Sequence, residues 1–147
     1  MRKTLITLAA GTMLLSSAAW AEDPRELVTM PPQQQQDMLI AMRDHLIVLD
    51  TLLSHVASER YREAAALAEQ RLGLSPFDPE IAVRLTAVMP PAMLEANEAM
   101  RDGTKRFAAA AKRADSERSY TALRTLNAAI SDITASCNGC HAHYRIR

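Results

Sequence analysis

The chain has 147 residues, of which 17 are Lys or Arg and 17 Asp or Glu, and it is 48% hydrophobic but only 4% aromatic, with 4 Gly, 8 Met and 2 Cys. That length suits one domain with a core of its own, and an Ala-, Leu- and Met-rich composition favours closely packed helices over a β-sandwich. The charge is balanced and no basic stripe runs along the chain, which excludes nucleic acid as a partner.

Arg2 and Lys3 form a basic start, Leu5 to Leu15 an apolar run, and Ala19-Trp20-Ala21 a small-x-small site. Together they describe a secretory signal peptide, residues 1–21, cleaved after Ala21. The run is shorter than the ~20 residues a spanning helix needs, and no later stretch is apolar enough, so no stable membrane span is expected after processing. Residues 22–147 are then the mature domain, periplasmic, in a compartment where thioethers and disulfides persist. Loss of Arg2 and Lys3 takes the formal charge from zero to −2.

Pro31-Pro32 marks the start of a first helix, since proline is tolerated in a first turn, and Gln33 to Gln36 read as its exposed opening turn. Leu39, Met42, Leu46, Leu49 and Leu53 recur at steps of three and four, the spacing of an inward seam. The helix is expected to end between Ala57 and Arg60. Tyr61, Ala64, Ala65, Ala68 and Leu72 give a second helix a narrow alanine-rich face that lets a neighbour approach closely, with Gly73 as its C-terminal stop. Leu74 to Pro79 read as a bend, and Glu80 to Val88 as a short helix or a crossover.

Met89-Pro90-Pro91 opens a third long helix with Met93, Asn97, Met100, Thr104, Phe107 and Ala111 facing inward. Asp115-Ser116 offers the turn and N-cap for the last helix. There Leu123, Leu126, Ile130, Ile133, Cys137, Cys140 and Tyr144 alternate steps of three and four without a break, which places the cysteines on or beside the core-facing line.

Cys137-Asn138-Gly139-Cys140-His141 carries the chemistry. Two thiols three residues apart can each form a thioether with a haem vinyl group, and a histidine directly after the second can ligate the iron, so C-x-x-C-H reads as a c-type haem attachment site. On a helix all three side chains project to one side. Gly139 is explained either by close backbone approach to the porphyrin or by the tolerance of an x position. The alternatives for the cysteines are a redox disulfide, a metal half-site or plain packing; a redox C-x-x-C belongs near a βαβ pattern, absent here, and zinc needs further ligands.

An exported chain of this size with four helices and C-x-x-C-H-x-x-Y-R at its end (Cys137, Cys140, His141, Tyr144, Arg145) resembles the class II c-type cytochromes, the cytochrome c-prime family. The resemblance spans nearly all of residues 22–147, and its sharp part is the C-terminal motif. It implies an all-α, antiparallel four-helix up-down bundle with one covalent haem c near one end, held by Cys137 and Cys140 and ligated by His141. It also implies Arg145 beside the haem one helical turn after His141; the other reading of Arg145 is a solvated cation favoured by the helix dipole.

The family divides on the distal side, between six-coordinate electron carriers with a methionine ligand and five-coordinate binders of nitric oxide or carbon monoxide. Met42 is the candidate sixth ligand, with Met38 beside it, because thioether sulfur is an axial donor to haem iron; if Leu39 covers the iron instead, the site is five-coordinate. Where members often carry an arginine near the propionates, this chain has Gln35 and Met38. His45 is expected at the margin of the inward face, as a partly exposed residue, a propionate contact or an alternative ligand, and His55 and His143 at the surface.

Nothing resembles a Ser-His-Asp set or a catalytic carboxylate pair, so no enzyme is expected. The function implied first is a periplasmic electron carrier working with redox partner proteins, then a binder of diatomic gas, then a thiol-disulfide or metal-binding helical module. Family likeness adds a homodimer through the first two helices.

Overall fold

A computed structural model describes residues 22–73 and 78–147, so the expected signal peptide, 1–21, lies outside the described residues. The chain is predominantly helical, in keeping with its composition. In order it forms β1 (Glu26–Leu27), α1 (Pro32–Ala57), α2 (Tyr61–Arg71), α3 (Pro79–Thr86), α4 (Pro91–Glu117), α5 (Tyr120–His143) and β2 (Tyr144–Arg145).

Proline sets three of the helix starts, at Pro32, Pro79 and Pro91, where its fixed φ suits the first turn and its missing N–H removes a donor that has no intrahelical acceptor. Asp78 caps α3 by accepting from the N–H of Glu80 at 2.8 Å. Ser119 caps α5, its hydroxyl accepting from the N–H of Ala122 at 3.1 Å. Gly73 follows α2 with φ 95°, the left-handed stop that its position at the end of the alanine pattern predicts.

α1 packs along α2 and, more lightly, α3, while α2 packs on α4 and α4 on α5; α1 and α5 make little direct backbone approach. One buried cluster joins Val48 and Leu52 of α1 to the alanine face of α2, to Phe107 and Ala111 of α4, and to Leu126 and Ile133 of α5. Alanines at Ala64, Ala65, Ala68, Ala108, Ala111 and Ala114 are fully buried, which lets the helices draw together around the rings of Phe107 and Tyr61. A second cluster, at the other end, joins Val28, Met38, Ala41, Leu85, Met89 and Met93, with Met42, Cys140 and Tyr144 packed against it.

Three expectations are corrected. The inward line of α1 is Met38, Ala41, His45, Val48 and Leu52, not Leu39, Met42, Leu46, Leu49 and Leu53; Leu46 is 68% exposed and Leu53 43% exposed, and Leu39, Met42 and Leu49 are half-buried. Two adjacent stripes of α1 share the same three-and-four spacing, and packing against α2 selects the one with the smaller residues. The turn before α5 falls at Arg118, which takes a left-handed φ of 45°, rather than at Asp115-Ser116; Asp115 stays helical and pairs with Arg62 of α2 at 2.5 Å. Finally α5 ends at His143, and Tyr144 is extended, with φ −124° and ψ 146°.

The extended tail pairs with the start of the domain. β1 and β2 run parallel, with Glu26 opposite Tyr144 and Leu27 opposite Arg145. Gln35 Nε2 donates to the carbonyl oxygen of Ile146 at 2.5 Å, which fastens the tail to the first turn of α1.

The C-terminal cysteine and histidine site

Cys137 and Cys140 lie on the last two turns of α5, half-buried and unpaired as thiols. Cys137 packs against the cluster around Phe107 and Val48, and Cys140 against the methionine cluster, so the motif spans the junction of the two. Burial pushes both thiols above their ordinary range, and for Cys140 the neighbouring Cys137 pushes in the same direction. At neutral pH both are protonated, whereas an activated redox pair has one thiol stabilised as thiolate.

His141 is exposed, and its carbonyl oxygen accepts from Arg25 at 3.4 Å. His143 is also exposed, with Nδ1 2.8 Å from the carbonyl oxygen of Gly139. A Cβ on Gly139 would meet no protein atom within 4 Å, so the protein's own packing does not require glycine there.

Facing this end of α5 are residues of α1. Met38 is 2% exposed and His45 8% exposed, so His45 is a core residue rather than a boundary one. Its Nε2 is buried with no hydrogen-bond partner among the described residues. An unpaired buried polar nitrogen of this kind costs about 1–3 kcal/mol. Burial lowers the His45 pKa; the Gly73 backbone and Asp44 oppose that, and His141 is near enough for its charge to add to it. His45 stands between Ala41, whose cluster Cys140 packs against, and Val48, whose cluster Cys137 packs against.

Of the other expected residues, Leu39 and Met42 are half-buried, and Met42 packs in the methionine cluster. Arg145 does not stand one helical turn past His141, because the helix has ended. Its Nε donates to the carbonyl oxygen of Arg25 at 3.2 Å and lies 3.9 Å from Asp23, so it helps join β1 to β2. His55 is half-buried rather than at the surface, with Nδ1 also buried and without a partner among the described residues. Sequence reasoning missed the burial of His45; the signal was the second series at 38, 41, 45, 48 and 52, one position from the series chosen.

Cys137, Cys140 and His141 are the donor types that a covalently held haem would take. Among the described residues no group of three or more His, Cys, Asp or Glu gathers as a metal site. Two thiols and an imidazole on one end of a helix, a flanking apolar wall of methionines, and a buried imidazole with an unpaired Nε2 on α1 are groups that could hold a flat macrocycle. Two shallow grooves elsewhere, one lined by Arg62, Ala66, Glu69 and Lys112 and one between α4 and α5, contain no histidine or cysteine. Among the described residues no helix is long and apolar enough to cross a membrane.

No protein-family model, curated protein or solved structure matches this chain, so the reading of its function rests on its own residues.

Proposed function

We propose that this chain is an exported mono-haem cytochrome c that carries electrons, with its helices forming an up-down four-helix bundle of the class II kind and α3 as part of the crossover. The observation that carries the reading is the C-x-x-C-H motif on the last turns of α5, with Cys137 packed against the cluster around Phe107, Cys140 against the cluster containing Met38, Met89 and Met93, and His141 exposed beside them. In this reading Cys137 and Cys140 hold the haem through thioethers and His141 ligates its iron. The haem supplies reversible one-electron chemistry when bound.

The chain's own residues do the rest. Methionines are flexible and polarisable, so Met38 and Met93 can close over an irregular apolar surface and exclude water from it. Exclusion of water raises the penalty for extra charge and so tunes a redox potential. The exposed end of α5 keeps the site within reach of redox partner proteins.

The experiment is an optical spectrum of protein matured in a host that attaches haem c. A Soret band that stays with the polypeptide through acid-acetone extraction, with sharp α and β bands on reduction and no change under carbon monoxide, is expected. A broad high-spin spectrum that shifts with carbon monoxide would make the protein a gas binder. A colourless chain with the mass of residues 22–147 alone would overturn the cytochrome reading.

A further inference from the structure

We infer that His45, through Nε2, is the second axial ligand of the haem iron, opposite His141, so that the iron is bis-histidine ligated. This rests on the cytochrome reading above and replaces Met42 in the sixth position.

His45 stands on the inward line of α1 between Ala41 and Val48 and is 8% exposed. A buried imidazole ordinarily satisfies both nitrogens, yet Nε2 has no partner among the described residues. A metal-bound histidine needs such a nitrogen, with its lone pair free to donate.

Position adds a second, independent observation. On the inward line of α1, His45 is flanked by Ala41, in the cluster that Cys140 packs against, and by Val48, in the cluster that Cys137 packs against, so it stands level with the cysteine motif. Met38 and Met42 differ in kind, because a thioether packed among apolar neighbours leaves no strong donor or acceptor unpaired.

The test uses haem-loaded protein. Wild-type ferric protein should be low-spin, with the electron paramagnetic resonance signature of two imidazoles and without the far-red charge-transfer band that methionine–iron ligation gives. His45→Ala should become high-spin and gain carbon monoxide binding in the ferrous state, and added imidazole should return it to low-spin. Met42→Ala should keep the wild-type ligation signature. Should His45→Ala not accumulate, the wild-type resonance spectrum and the far-red region decide alone. A far-red methionine band, a high-spin wild type, or a His45→Ala protein still low-spin without added imidazole would overturn the assignment while leaving the cytochrome reading intact. Absence of covalent pigment would overturn both.

Discussion

The backbone N–H of Val28 donates to the carbonyl oxygen of Arg145 at 2.8 Å, which joins the segment before α1 to the residues directly after the cysteine and histidine motif. Around this bond Arg145 reaches the carbonyl oxygen of Arg25, and Arg25 grips Asp23 at 2.6 Å. The tail of α5 is therefore held from outside, by strand pairing and charge, rather than by continuation of the helix.

That ion pair gives a pH dependence. The Arg25 side chain and backbone N–H hold the Asp23 carboxyl at about 2, below its ordinary 3.8. A carboxylate with a depressed pKa in the folded state contributes fully above the unfolded value and loses its contribution as pH falls towards the folded one. Protection of the Val28 amide against hydrogen exchange should therefore decline between about pH 4 and pH 2. Asp23→Asn should show lower protection above that window and no step within it; identical profiles for the two proteins would mean the pair does not support the strands.

The cysteines are tested together. Cys137→Ala with Cys140→Ala should abolish covalent haem, so that acid-acetone extraction strips any pigment from the polypeptide. Retention of pigment on the double variant would contradict thioether attachment at these positions.

The register of α1 separates two leucines. Leu52 is fully buried and Leu46 is 68% exposed. Leu52→Ala should destabilise the fold by about 2–5 kcal/mol, and Leu46→Ala should stay within about 0.5 kcal/mol, both read by denaturant unfolding. The reverse ranking would restore the seam of Leu39, Met42, Leu46, Leu49 and Leu53.

Two glycines should respond with opposite signs. Gly73→Ala forces a side chain into the left-handed region and should cost about 1–2 kcal/mol. Gly139 is helical, with no protein atom where its Cβ would point; Gly139→Ala in the haem-loaded protein should leave stability unchanged or raise it by up to about 1 kcal/mol. A marked loss at Gly139 would mean that a porphyrin lies against that backbone.

Much of the helical layout is legible in the sequence because it depends on local chemistry. Prolines at 31–32 and 90–91 start helices whatever lies around them, and the alanine series from Tyr61 to Leu72 has one apolar face. α1 is different. Its apolar residues cover more than one face, so periodicity admits two registers, and only contact with α2 and α3 decides between them. Arg118 as the stop of α4 was illegible for a related reason: a left-handed arginine carries no signal of its own, and Asp115 prefers its ion pair to a cap. The strand pair joins residues too far apart in sequence for any local pattern to reveal. At the site, Cys137, Cys140 and His141 stand out by spacing alone, whereas the environment of His45 follows from the register of α1.

The pairing of β1 with β2 also bears on the order in which the molecule assembles. A contact between Glu26 and Tyr144 closes a loop of nearly the whole domain, an entropic burden met only after the intervening helices have collapsed. Latching is thus a late event. Until it happens, the final turn of α5 is free of residues 26–28, and a bulky group delivered to Cys137 and Cys140 would reach them before the ends come together.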